Sequence, residues 1–154
     1  MAVKSKAGVT KTILQAQRDL DKFERQIGKN SRVQVGIPAN SRDYPDGTSV
    51  ILVGLVHEFG SLSRNIPERS YLRAGIRKNS KKYVSLFADL AIKVLNGDRT
   101  VKQGLGIIGL QAASDVQQEL TELQRPPLKH RVGNPLVDTG HLRQSITFQV
   151  KEIT

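Results

Sequence analysis

The sequence predicts an α+β fold: a small mixed or antiparallel sheet packed against two long helices, with an N-terminal helix and a long Pro-rich loop. Three observations predict it. Apolar residues recur at helical spacing across residues 9–27, 67–95 and 100–123. They alternate with period 2 in two short stretches, 32–37 and 146–150. Prolines crowd into residues 124–137, where they deny the chain regular structure. At 154 residues the chain fits one domain, given about 150 residues per domain. Residues 1–30 read as a helical arm, and residues 31–154 as the core that carries the loop.

The first helix is read from Val9, Ile13, Ala16, Leu20, Phe23 and Ile27, which fall on one stripe. Thr10 is a plausible N-cap and Gly28 a plausible stop. Val33, Val35 and Ile37 alternate with Arg32, Gln34 and Gly36, giving a strand that Pro38 ends. Residues 39–48 are turn-rich, and Pro45-Asp46-Gly47 is a turn with a backbone reason. Residues 49–59 read as a short buried helix with Leu52, Leu55, Val56 and Phe59 on its apolar face and Thr48 or Ser49 as cap. Pro67 suits a first helical position. From it Leu72, Ile76, Tyr83, Leu86, Leu90 and Val94 mark one long helix to Leu95. The next, capped by Asp98 or Thr100, buries Val101, Leu105, Ile108, Ala112, Val116, Leu120 and Leu123. Asp138 or Thr139 caps one helical turn through Arg143, and Phe148 and Val150 lie on a closing strand. Two strands are few for a sheet, so the sequence leaves room for another within 41–53.

Composition narrows the chemistry. Hydrophobic residues make up 38% and charged residues 25%, which suffices for a packed core. Absence of cysteine excludes disulfides and cysteine-ligated metal. No apolar run approaches the ~18 residues of a membrane span. The basic N-terminus has no apolar stretch behind it and does not read as a signal peptide. Gly104-Leu-Gly106-Ile-Ile-Gly109 matches a dinucleotide fingerprint in letters, but it lies inside a helical pattern without the preceding strand that the mechanism needs. His57-Glu58 opens like a zinc-protease motif, yet Ser61 stands where the second histidine belongs. His130 and His141 have no carboxylate cluster beside them. No nucleophile, base and orienter can be nominated together. We therefore expect no enzyme, no cofactor and no metal.

The net charge of +10 invites an acidic partner. The excess lies in three blocks, at residues 1–32, 64–82 and 124–154. Arg69, Arg73 and Arg77, at helical spacing, would share a face, a usable track for phosphates or for an acidic neighbour. Aromatic residues are only 5%, a poor supply for stacking single-stranded bases.

Three stretches carry a resemblance when taken in order: Val56-His-Glu-Phe-Gly60, Ile66-Pro-Glu-Arg-Ser-Tyr-Leu-Arg73 and Asn134-Pro-Leu-Val-Asp-Thr-Gly-His-Leu-Arg-Gln-Ser-Ile146. Together they resemble the tail-completion, or virion morphogenesis, proteins of long-tailed bacteriophages, over about residues 50–150. Tyr71 stands where that pattern has phenylalanine. The resemblance implies a structural neck protein that joins the DNA-filled head to the tail as a ring of subunits, expected to be sixfold. It implies the chain itself and other neck and tail proteins as partners, DNA passing non-specifically through the ring, and a place in the virion after assembly in the bacterial host cytoplasm. A tail terminator that caps the tail tube is the near alternative, and a basic DNA-binding protein the alternative of another class.

The resemblance makes Glu58, Phe59, Gly60, Pro67, Arg69, Tyr71, Leu72, Arg73, Asp138, Thr139, Gly140, Leu142, Arg143 and Ser145 interface candidates. Arg77, Lys78, Lys81 and Lys82 are candidate contacts to phosphate or an acidic partner. On this reading Phe59 is a buried aromatic, Pro67 starts a helix that presents Arg69 and Arg73 one turn apart, Leu142 anchors its turn and Arg143 points out. The N-terminal arm and residues 124–137 are expected to become ordered on assembly, as adaptable connectors do.

Overall fold

A computed structural model of the chain describes residues 6–27, 30–123 and 140–153. The Pro-rich loop and the candidates Asp138 and Thr139 lie outside the described residues. The fold is α+β, with α1 (Lys6–Ile27), β1 (Asn30–Gly36), α2 (Val50–Phe59), α3 (Leu72–Lys78), α4 (Ser80–Leu95), α5 (Val101–Glu122), α6 (His141–Ser145) and β2 (Thr147–Ile153) in chain order. Among the described residues the sheet has two strands. β1 and β2 run antiparallel, with Val33 opposite Val150 and Val35 opposite Phe148. The third strand left open within 41–53 is absent there. Asp46 accepts the Thr48 amide, and the Asp43 carboxylate accepts the amide of Val50, so the chain turns straight into α2.

α5 is the spine. Its start is fixed by a capping box between Thr100 and Gln103, with the Thr100 hydroxyl accepting the Gln103 amide and the Gln103 side chain accepting the Thr100 amide. Both strands pack on it, together with α3 and α4. Its C-terminal half joins Val50, Tyr71, Leu142 and Ile146 in one core through Val116 and Leu120. Its N-terminal half joins Leu90 and Val94 in a second through Leu105 and Ile108. Each such apolar side chain contributes about 1.5–3 kcal/mol by leaving water. The three glycines of the dinucleotide-like string lie within this helix. A methyl group at Gly104 would overlap Leu90, and one at Gly109 would overlap the Phe148 ring. These two serve close packing.

The long helix expected over 67–95 is two helices. Pro67 and Arg69 lie in irregular chain before α3. A break follows at Asn79, whose side-chain amide donates to the Gly75 carbonyl at 2.9 Å. α1 begins at Lys6, so Thr10 lies within it and does not cap it. The Ile13, Ala16 and Leu20 part of its stripe is exposed, and among the described residues it has a short contact with α4.

Candidate functional site

The structure turns α2 the opposite way from its hydrophobic pattern. Val50, Gly54 and Glu58, spaced four apart, face inward. Leu52, Leu55 and Phe59 face outward and are half or more exposed, Phe59 at 60%. Phe59 is thus not the buried aromatic that the sequence predicts. The buried partner in Glu58-Phe59-Gly60 is the glutamate, at 4% exposure. Gly54 is what lets this face approach the core, since a methyl there would press on the Ile37 side chain at 2.6 Å and the Tyr71 hydroxyl at 2.9 Å.

Glu58 does in space what a local cap does in sequence. Its Oε2 accepts the amides of Tyr71 and Leu72, both at 2.9 Å. Its Oε1 accepts the Ser70 hydroxyl at 2.8 Å, the Arg73 Nε at 2.7 Å and the Arg73 amide at 3.2 Å. Three amides at the start of α3 are thereby satisfied by a carboxylate of another helix, where the positive end of the helix dipole also favours it. α3 starts here for that reason, and not at Pro67. Burial pushes the Glu58 carboxyl upward, but the bonds from Arg73, Leu72 and Ser70 outweigh it and its pKa lies below the ordinary 4.5. The charged bond from Glu58 raises the Arg73 guanidinium in turn.

Arg73 closes the arrangement. Its Nη2 donates to the Glu58 carbonyl at 2.9 Å and to the Glu68 carboxylate at 2.7 Å, and its guanidinium lies 4.8 Å over the Phe59 ring. Gly60 ends α2 at φ +74°, a backbone that favours glycine. A methyl there would meet the Glu68 amide at 2.9 Å and the Ile66 carbonyl at 3.0 Å. Ser61 and Ile66 then bridge a tight turn whose Leu62 is fully exposed. The described part of the third stretch, residues 140–146, docks on the same unit. Gly140 takes the left-handed conformation before α6, and Leu142 is buried beside Val50 and Tyr71. Arg143 is exposed, and Ser145 donates to the His141 carbonyl.

The expected cation stripe does not form. Arg69 is 6% exposed, off any helix, with its amide donating to the His57 carbonyl at 2.8 Å. Lys78 reaches Glu119 at 3.0 Å and Glu122 at 3.3 Å. Lys82 pairs at 2.6 Å with the buried Asp115. Arg77 and Lys81 stay exposed. The residues that sequence reasoning misses are Ser70, Glu68 and Asp115. Asp115 accepts Lys82, the Tyr83 hydroxyl at 2.8 Å and Gln111 at 3.0 Å, tying α4 to α5. The signal for it is a carboxylate beside the apolar stripe of α5, four residues from Gln111.

Among the described residues no group of three His, Asp or Glu side chains stands close enough to hold a metal ion. His57 is held below the ordinary histidine pKa by burial and by the Arg69 charge. Its Nδ1 is the one buried side-chain polar atom without a hydrogen bond among the described residues. An open cleft of about 430 Å³ beyond the sheet is lined by Gln34, Ile37, Asn40, Phe148, Gln149 and Lys151, a set without an acid–base pair. No helix among the described residues is long and apolar enough to cross a membrane. Comparison with known protein families, curated proteins and solved structures finds no match to this chain.

Proposed function

We propose that this chain is a structural neck protein of long-tailed bacteriophages, of the tail-completion type, joining the DNA-filled head to the tail as a ring of subunits. It acts as a joint, without catalysis or cofactor. Its partners are further copies of itself and the other neck and tail proteins, and its place is the head–tail neck of the virion.

The observation that carries this reading is the convergence of the three resembling stretches. Glu58 and Leu142 stand 84 residues apart in the chain, yet Glu58, Arg73, Tyr71 and Leu142 meet in one unit. That unit faces outward with Leu52, Leu55, Phe59 and Leu62, and an apolar cluster of that kind marks a surface made to meet another protein. The internal pairing of Arg73, Lys78 and Lys82 speaks for protein partners over a phosphate track.

Electron microscopy of a phage lysate in which this gene alone is blocked tests the role. Filled heads beside separate tails of normal length are expected. Tails of abnormal length would move the role to tail termination, and intact infectious particles would overturn it.

A further inference from the structure

Two unlike apolar surfaces of this chain face solvent. One is the outward face of α2, with Leu52, Leu55 and Phe59, continued by Leu62. The other is the α1 stripe through Ile13, Ala16 and Leu20. We propose that α1 of one copy lies on the outward face of α2 of the next.

The two surfaces match in length. Ile13 and Leu20, and Leu52 and Phe59, each lie seven positions apart, about 10.5 Å of helix. They also match in charge. At 100° per residue Asp19 and Glu24 flank the α1 stripe on its two sides, while Arg18 and Arg25 fall on the opposite face. The α2 face ends instead at Arg64, exposed in the turn that follows, beside Arg73, which lies over the Phe59 ring and is already paired with Glu58 and Glu68. Laid parallel, the acidic end of α1 meets the arginine end of α2. Among the described residues α1 has a short contact with α4 of its own chain, and Ile13, Ala16 and Leu20 are exposed to a neighbour.

A contact between unlike surfaces is heterologous, and repetition of it closes into a ring or runs on as a filament. The proposal deepens the ring reading and rests on it for its setting. The two fail separately, because purified protein reports the contact and the lysate reports the role.

The chain has no cysteine, so single-cysteine variants give a clean readout. Leu20→Cys mixed with Phe59→Cys under oxidising conditions should give the mixed disulfide dimer in preference to either homodimer. Preference for the Leu20→Cys homodimer would mean α1 pairs with α1. Preference for the Phe59→Cys homodimer would mean α2 pairs with α2. Faster cross-linking of Leu20→Cys to Phe87→Cys would place α1 on the exposed apolar side of α4. Each of those results overturns the proposal, as does a wild-type protein that stays monomeric in sedimentation up to about 1 mM.

Two double variants test the same point without cross-linking. Leu52→Glu with Leu55→Glu disables one surface, and Ile13→Glu with Leu20→Glu the other. Each should weaken self-association at least about 100-fold, because two large apolar side chains no longer leave water. Mixed, they should form a one-to-one pair that grows no further. A variant that still associates alone overturns the proposal. The replaced side chains are half exposed or more, so the circular dichroism of the monomer should not change. If either double variant unfolds, the cysteine pairs decide.

Discussion

Replacing Glu58 by glutamine is the sharpest test of how this fold is held. The wild-type carboxylate accepts five hydrogen bonds, two on Oε2 and three on Oε1. Glutamine offers one oxygen and one NH2. If the NH2 takes the Oε2 place, it faces the amides of Tyr71 and Leu72, donor against donor. If it takes the Oε1 place, the Ser70 hydroxyl can turn and accept, but both Arg73 donors are stranded. At least two charge-assisted bonds are lost either way, each contributing about 1.5–3 kcal/mol. Arg73 is half exposed and keeps Glu68 and the Glu58 carbonyl, so screening discounts this, and the expected cost at pH 7 is about 2–4 kcal/mol. That is a large fraction of the roughly 5–15 kcal/mol of a typical domain, and about 10 °C in Tm for a chain of this size. Urea unfolding followed by circular dichroism measures it. The pH dependence adds a signature. The native pKa of Glu58 lies below its unfolded value near 4.5, so its contribution is complete above that pH and is lost as pH falls through the native pKa. The gap between wild type and Glu58→Gln should narrow below about pH 4.5. A difference under about 1 kcal/mol at pH 7, or a gap that stays constant in acid, would refute the capping argument.

Other expectations follow from the packing and the second buried carboxylate. Gly106 has open space where a methyl would go, so Gly106→Ala should stabilise by up to about 1 kcal/mol in thermal melts, while Gly109→Ala, pressed on the Phe148 ring, should destabilise by about 1–3 kcal/mol. Phe59→Ala should cost less than about 1 kcal/mol, since the ring is mostly exposed and loses little beyond the Arg73 contact, whereas Leu120→Ala in the core should cost about 2–5 kcal/mol. Burial pushes Asp115 upward, but Lys82, Tyr83 and Gln111 hold its pKa below 3.8. Lys82 is partly exposed, so Asp115→Asn should lose about 1–3 kcal/mol at neutral pH, and less in acid as the wild-type advantage fades below that value.

Periodicity made the elements legible. The stripe of α5 from Leu105 to Leu120 is buried as the spacing predicts, and its Thr100 cap is the kind of signal that sequence carries well. The alternation at Val33, Val35, Phe148 and Val150 likewise yields the two strands. What periodicity cannot carry is which face of a short helix meets the core. In α2 the more apolar side faces out, because Gly54 admits Ile37 and Tyr71, and because a buried charge five times bonded is satisfied inside. The start of α3 was illegible for a related reason. Its cap comes from residue 58, and the local Ser70 hydroxyl donates to that same carboxylate, so a start at Pro67 is the stronger signal in the sequence. The phosphate stripe depended on that start and fell with it.

The loan of a cap from α2 makes α3 conditional. Seven residues are too few to nucleate a helix on their own in water. The amides of Tyr71, Leu72 and Arg73 are therefore protected from solvent exchange only while α2 is seated. In native-state hydrogen exchange these three protons should open together with α2, as one cooperative unit. Strain applied at the outward side of α2 would then be felt thirteen residues downstream, in a helix that shares no continuous segment with it.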